Sequence, residues 1–274
     1  MKKVLTIAGS DSCGGAGIQA DLKTFSAHGV YGMSIITAVT AQNTQGVFAV
    51  QDIDEDIIKA QIDAIFTDIE VDAVKIGMVS KPSTIYAIAR QLEKYNPGNI
   101  VLDPVMISKS GYSLLQPESK QSLIKELLPK AFVITPNIPE AEEMLNAVTS
   151  EDIAIKTIED MEQAAKEIYR LGPKNVLIKG GHMSGEAIDV LYDGQEITRF
   201  YSERINTKNT HGTGCTLSSA IASNLALGYS IKDAVSNAKR YITTAIEHSL
   251  EIGQGVGPTH HFYELYKKGG LIND

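Results

Sequence analysis

The chain predicts an α/β fold, with a mainly parallel central sheet covered by helices on both faces. Three observations carry that class. Short apolar runs alternate with amphipathic helical stretches almost from end to end. The clearest run, Ser34-Ile-Ile-Thr-Ala-Val-Thr-Ala41, is continuous and β-branched, as a strand buried on both faces should be. One hairpin near the end of the alternation adds antiparallel strands at the sheet edge. No linker, internal repeat, low-complexity tract or charge block divides the chain, so residues 1–274 form a single expected domain.

Element by element, Val4–Ala8 is a strand that stops at Gly9-Ser-Asp-Ser-Cys-Gly-Gly-Ala-Gly17. Ile18, Leu22 and Phe25 have helical spacing, and Gly29 ends that helix. Ser34–Ala41 returns to the sheet. Asp54 is the expected cap of a helix carrying Ile57, Ile58, Ile62 and Ile65. Ala73–Gly77 is a strand, and Ser80 and Pro82 open the next helix. Asn99–Asp103 and Phe132–Pro136 are strands; a helix opened by Pro117 lies between them, and a short one around Glu140 to Leu145 follows. Thr157 starts a helix closed by Gly172, and Asn175–Gly181 is the next strand. Val190–Ile197 is the hairpin, with Asp193-Gly194 suited to a two-residue type I′ turn. Two long helices finish the chain, one after Cys215 and one around Ala234–Leu250.

Composition bounds the function classes. Twenty-five basic residues against 33 acidic ones leave a net charge of −8. That balance argues against nucleic acid and against an anionic membrane surface as partners. It leaves room for a phosphate-bearing ligand, which backbone N–H groups bind without side-chain charge. Two cysteines, Cys13 and Cys215, make no disulfide framework, so a reducing, cytoplasmic setting is expected. Met1-Lys-Lys leads directly into a strand with no leader pattern, and no apolar run approaches the ~20 residues that span a bilayer. The six histidines show no metal-ligand spacing; His211 is a candidate ligand contact and the others read as structural.

The functional signal centres on Asn206-Thr-Lys-Asn-Thr-His-Gly-Thr-Gly-Cys215. Gly212 and Gly214 stand where a helix begins, and a helix start has unpaired N–H groups and partial positive charge. Glycine lets the backbone approach an anion closely. Cys215 in the first turn is expected to be pushed towards thiolate. The alternative is a tight loop-to-helix turn around a buried cysteine. The other glycine loop, Gly9–Gly17, fails both phosphate fingerprints: Gly9-x-x-x-x-Gly14 is followed by Gly15-Ala16 rather than Lys-Ser/Thr, and the Gly-x-Gly-x-x-Gly spacing is absent. It is therefore assigned to the acceptor substrate, with Asp11 as a polar contact and Ala16 giving close backbone approach.

Ligands of open α/β sheets gather beyond the carboxyl ends of the strands. The predicted strands deliver Gln42, Met78, Asp103 with Val105, Asn137 with Glu140, and Lys179 to that edge. Lys179 suits phosphate charge, and Asp103 and Glu140 suit Mg2+. The plainer alternatives are a strand-ending aspartate, a helix-start acid and a solvated lysine.

Ile7-Ala-Gly-Ser-Asp-Ser-Cys-Gly-Gly-Ala-Gly-Ile-Gln-Ala-Asp-Leu-Lys-Thr-Phe25, Thr40-Ala-Gln-Asn-Thr44, Asp103-Pro-Val-Met106, Lys109-Ser-Gly111, Thr135-Pro-Asn-Ile-Pro-Glu-Ala141, Lys179-Gly-Gly-His182 and Asn206–Thr216 closely resemble the hydroxymethylpyrimidine/phosphomethylpyrimidine kinases of thiamine biosynthesis. The resemblance covers essentially the whole chain, to Gly257-Pro-Thr-His-His-Phe262. It implies a ribokinase-like three-layer sandwich and two ATP-dependent transfers, from 4-amino-5-hydroxymethyl-2-methylpyrimidine to its monophosphate and then to the diphosphate. It makes Gly212, Thr213, Gly214 and Cys215 the anion hole, with Cys215 at the base position. Asn137 and Glu140 match a Mg2+/phosphate motif with Asp103 nearby, and Lys179, Asn137 and Thr210 fall to ATP. Gly9, Ala16, Gln42, Met78 and Val105 fall at pyrimidine-contacting positions. A homodimer is the expected assembly. The cysteine-containing pyridoxal kinases are the alternative. Gln42-Asn-Thr-Gln-Gly46 and Thr213 favour the pyrimidine kinases. A non-catalytic pyrimidine-binding protein is the alternative of a different class. Lys109-Ser110-Gly111 is the candidate closing loop, and Cys13 is unassigned.

Overall fold

A computed structural model describes residues 1–106, 117–149, 152–181 and 187–272 of the chain. The chain opens with β1 (Lys3–Asp11), α1 (Gly17–Ala27), β2 (Tyr31–Asn43) and β3 (Gly46–Asp52). It continues through α2 (Glu55–Phe66), β4 (Ala73–Ile76), α3 (Pro82–Tyr95) and β5 (Ile100–Leu102). α4 (Pro117–Ser122) runs on as a π turn and a 3₁₀ turn before β6 (Val133–Ile134). Then come α5 (Ile138–Thr149), α6 (Ile158–Tyr169), β7 (Val176–Ile178), β8 (Ala187–Tyr192) and β9 (Ile197–Ser202). The last helices are α7 (Thr213–Ala226), α8 (Ile231–Glu247) and α9 (Tyr263–Lys268).

The strands form one sheet in the order β3-β2-β1-β4-β5-β6-β7-β8-β9. Neighbours from β2 to β7 pair parallel, while β3 at one edge and β8 and β9 at the other pair antiparallel. Side chains alternate between two apolar cores. Leu5, Ile7, Val74 and Ile76 pack with α2, α3, α5 and α6, whereas Val4, Ala73, Val101 and Leu177 pack with α1, α7 and α8. This is the expected three-layer α/β sandwich. Among the described residues no helix is long and apolar enough to cross a membrane.

Two local expectations are corrected, and two elements escape the sequence pattern. β3 has no counterpart in the sequence pattern, because as a half-covered edge strand it leaves Phe48 67% exposed and lacks a clean alternation. The β8–β9 hairpin exists, but its connection is four residues long, with Tyr192 opposite Ile197. Asp193 Oδ1 accepts from the Gln195 and Glu196 amides at 2.9 Å each, an Asx turn that needs left-handed backbone only at Gly194. Asp54 holds the N-cap position of α2 without a side-chain capping bond, whereas Thr157 makes a full capping box with Asp160. Finally, α9 was not foreseen, since its six residues bury none of their side chains.

The face of the sheet towards α1 and α7 has a polar interruption. Alternation along β4 sends Lys75 to that side, where it is fully buried. Its ammonium donates to both oxygens of buried Asp21, at 2.9 and 3.0 Å. Asp21 also accepts from Thr6 of β1 at 2.6 Å and from Ser219 of α7 at 2.7 Å. Burial acts to lower the lysine pKa, but the charge of Asp21, with that of Asp103, raises it above its ordinary value. Removing one partner of such a pair leaves an uncompensated buried charge. Lys75→Met is expected to lower unfolding free energy by about 3–5 kcal/mol. The double variant Lys75→Met/Asp21→Leu should recover much of that loss. Urea denaturation followed by circular dichroism checks both, and equal losses in the two variants would contradict this account.

Candidate active site

At β1 the strand order changes direction, with β2 leaving on one side and β4 joining on the other. In an open α/β sheet this switch point leaves a crevice beyond the strand ends. Here the crevice is a cleft of ≈ 740 Å³. Every residue assigned above to donor, acceptor, base or metal lines it, from the glycine loop after β1 to the start of α7. Lys109–Gly111 and His182 lie outside the described residues.

Gly212 is the N-cap of α7, and its φ of 77° is left-handed. A Cβ there would overlap the carbonyl oxygen of Gly15, so the two glycine loops press backbone against backbone. The Thr213 amide reaches the Thr210 carbonyl at 3.4 Å, and the Thr216 amide reaches that of Gly212 at 2.9 Å. The Gly214 and Cys215 amides between them have no backbone acceptor within the helix. A Cβ on Gly214 would sit 3.6 Å from both Asp103 Oδ2 and Lys179 Nζ, which is ordinary contact. Folding does not demand glycine at that position. It does keep open the space between two free amides, a lysine and a carboxylate, which is where an anion fits.

Cys215 overturns an expectation. Burial pushes its thiol up to about 11, and Lys75, which pulls the other way, is outweighed with Asp21 and Asp103 adding to the rise. The helix start does not make a thiolate here, because the group is desolvated beside two acids.

Opposite α7, Lys179 at the end of β7 donates to Asp103 Oδ1 at 2.9 Å. Asp103 also accepts from Thr135 at 3.1 Å and from Ser218 at 3.3 Å. Burial acts to raise its pKa, but Lys179 and Lys75 hold the carboxyl below its usual range. Lys179 is not a solvated lysine: burial opposes its charge, and Asp103 and Glu140 hold its pKa above the ordinary value. Glu140 forms a capping box with Asn137, accepting from the Asn137 amide at 2.8 Å while its own amide donates to Asn137 Oδ1 at 2.9 Å. The helix-start role is therefore real, and the side chain faces the cleft as well. Burial, then the charge of Asp103 against the pull of Lys179, pushes the Glu140 carboxyl up to about 7. Two buried carboxylates beside one lysine fit a dication, which would relieve that penalty.

On the acceptor side Met78 lies against Gly9, where a Cβ would come within 3.0 Å of its sulfur. Gln42 Oε1 accepts from the Thr40 hydroxyl at 3.1 Å, and its Nε2 lies 3.4 Å from His211 Nε2. Asp11 is not a free polar contact. It accepts from the amides of Cys13, Gly15 and Ala16 and bonds His211 Nε2 at 2.8 Å. Burial acts to raise it, but the His211 bond and these amides bring it down to about 2. Its carboxylate shapes the loop.

Sequence reading missed Lys75 and Asp21 beneath the cleft, and also Lys239, whose ammonium bonds Asp189 at 2.7 Å while Asp189 holds the Gly180 amide at 2.9 Å. Two signals were available. Lys75 is the one charge in an apolar four-residue strand, and Asp21 falls on the apolar face of α1 with Ile18, Leu22 and Phe25.

A family model described as Phosphomethylpyrimidine kinase matches residues 11–260. The hydroxymethylpyrimidine/phosphomethylpyrimidine kinase of Rhizobium meliloti (strain 1021) is 54% identical over 266 residues, which is 96% of this chain and 98% of that protein. The crystal structure of phosphomethylpyrimidine kinase from Clostridium difficile 630 aligns with a TM-score of 0.79 at 58% identity, covering 90% of this chain and 100% of that one. An ADP complex of Bacillus subtilis pyridoxal kinase aligns with a TM-score of 0.88 at 44% identity, covering 97% and 99%.

The Glu140 carboxyl makes stability depend on pH. Folded, it binds its proton more tightly than the ordinary value of 4.5 allows, so it is protonated while the unfolded group is not. Stability from this group is therefore lost as pH rises from about 4.5 to about 7. The loss is on the order of a few kcal/mol. Glu140→Gln keeps the cap acceptor and should flatten that part of the profile. Denaturation midpoints of both proteins across this range check it, and parallel profiles would contradict the assignment.

Proposed function

Because the chain belongs to the phosphomethylpyrimidine kinase family, we propose that it transfers the γ-phosphoryl group of ATP to 4-amino-5-hydroxymethyl-2-methylpyrimidine, and then a second phosphoryl group to the monophosphate so formed. The whole chain acts as one ribokinase-like kinase domain. The observation that carries this reading is the meeting, in one cleft, of the free Gly214 and Cys215 amides with Lys179, Asp103 and Glu140, opposite the Gly9–Gly17 loop.

In this reading ATP lies with its phosphates at the start of α7, contacting Lys179, Asn137 and Thr210. The amides of Gly212–Cys215 stabilise the charge of the transferring group. Asp103 and Glu140 would hold Mg2+, which when bound shields the phosphate oxygens. Gly9, Ala16, Gln42, Met78 and Val105 seat the pyrimidine, and Asp11 keeps the Gly9–Gly17 loop in shape around it. Cys215 accepts the proton of the hydroxymethyl group. It does so as the thiolate: the thiol, raised to about 11, first gives its own proton to solvent, so the base is the minor form near neutral pH and is needed only late in a loose phosphoryl transition state. The protein works in the cytoplasm, where Cys13 and Cys215 stay reduced. It assembles as a homodimer, whose formation sedimentation equilibrium would show.

ADP release measured with the pyrimidine alcohol, its monophosphate and pyridoxal tests the reading. Turnover with both pyrimidines is expected. Faster turnover with pyridoxal would favour a pyridoxal kinase, which the similarity to the Bacillus subtilis fold keeps in view. Binding without turnover would favour a non-catalytic pyrimidine binder.

Two variants sharpen the mechanism. Cys215→Ala should slow transfer to the alcohol by about 10²–10⁴-fold, the usual share of a general base. The monophosphate, already ionised, should be affected less, and an equal loss would remove Cys215 from the base role. Gly214→Ala should fold normally, since its new methyl meets only ordinary contacts. It should nevertheless lose at least roughly tenfold in turnover by crowding the phosphoryl group out of line. Unchanged turnover in a folded variant would place the transfer elsewhere.

A further inference from the structure

Cys13 has no part in the proposed transfer, and His211 and Asp11 enter it only through the shape of a loop. These three side chains nonetheless converge at the acceptor side of the cleft, although nothing in their sequence spacing shows it. Asp11 Oδ2 lies 2.8 Å from His211 Nε2 and 3.4 Å from Cys13 Sγ, and the sulfur lies 3.6 Å from the same nitrogen. Zinc binds carboxylate oxygen at about 2.0–2.2 Å, imidazole nitrogen at about 2.0–2.1 Å and thiolate at about 2.3 Å. At tetrahedral angles those lengths put ligand atoms roughly 3.3–3.6 Å apart. Two edges of the triangle already have that length, and the third needs to open by roughly half an ångström.

We propose that Asp11, Cys13 and His211 form a binding site for a thiophilic divalent transition cation, with Zn2+ as the type ion. The cation replaces the proton on Cys13 sulfur and meets the bare Nε2 of a His211 ring whose proton sits on Nδ1, so that a carboxylate, a thiolate and an imidazole nitrogen face it. A thiolate with an imidazole selects zinc-like ions over Mg2+. The ligands are held from behind. Asp11 Oδ2 keeps the Gly15 and Ala16 amides at 3.1 and 2.8 Å, and Oδ1 keeps the Cys13 amide at 2.9 Å. The His211 amide donates to the Gly257 carbonyl at 3.0 Å, and the Cδ2 edge of its ring abuts Gly15, where a Cβ would overlap it. Asp11 and His211 are buried while Cys13 is exposed, which leaves an open side for a fourth ligand. Gln42 Nε2 stands 3.4 Å from the same His211 nitrogen, so a bound cation sits beside the acceptor seat and obstructs it. That last consequence rests on the kinase reading; the site itself does not.

Titrating the reduced full chain with Co2+ reads the site directly. A sulfur-to-cobalt charge-transfer band in the near ultraviolet, displaced by Zn2+, is expected. Cys13→Ser should abolish the band, Cys215→Ser should keep it, and His211→Ala should weaken Co2+ binding by roughly tenfold or more. No band in the parent chain would overturn the site, as would a band that survives Cys13→Ser or binding unaffected by His211→Ala. In the ADP-release assay Zn2+ should raise KM for the pyrimidine alcohol in the parent and not in Cys13→Ser. An intact band without that rise would overturn the obstruction and leave the site. Absent turnover in any form of the protein would overturn the kinase reading without touching the spectra.

Discussion

The buried pair of Lys75 and Asp21 holds four elements to one geometry. Its two charges come from β4 and α1, and its hydroxyl partners come from β1 and α7. Burying either charge alone would be costly, so the elements that carry them must meet in this register. α7 is thereby placed with its first turn above the switch point. Lys75 also reaches upward: its charge acts on Cys215 and Asp103 in the cleft. One interaction thus fixes the position of the helix start and sets part of the potential felt there.

Above it, charges alternate in sign. Lys75 bears on Asp103, Asp103 binds Lys179, and Lys179 and Asp103 act in opposite senses on Glu140. The acid furthest from full compensation is Glu140, and it is the one whose carboxyl is pushed up towards neutrality. The resting cleft therefore has capacity for further positive charge near Glu140 and for an anion at the α7 amides. Those are the two charges that a metal-bound polyphosphate brings together. The raised thiol of Cys215 belongs to the same balance, since a thiolate beside Asp21 and Asp103 would add a third negative charge to a dry floor.

Much of this was legible in the sequence because it depends on local rules. Strand runs ending in Gly, Pro or Asp, helices opened by Ser, Thr or Pro, and glycines at a helix start are short-range signals, and they led to the class and to the cleft-lining residues. Illegible were features set by three-dimensional neighbours. β3 gives no strand signal because its outer face has no neighbour to impose alternation. The protonation of Cys215 follows from burial against acids in α1 and after β5, which no local window contains. The Asp193 turn was misjudged for the opposite reason, since a favourable dipeptide gave way to a side-chain bond two and three residues on. Lys75 and Asp21 stood in plain view as charges on apolar faces, yet only their pairing gives them meaning.

The contact of Gly15 with Gly212 has a thermodynamic corollary. The loop assigned to the acceptor and the turn assigned to the donor touch through main chain, with no side chain between them to absorb movement. A ligand that shifts one shifts the other by direct push. Should occupancy of one seat alter the affinity of the other, linkage requires the two effects to be equal in size. Any such cooperation would run through two glycines, and a methyl group on either would alter their contact before touching any ligand.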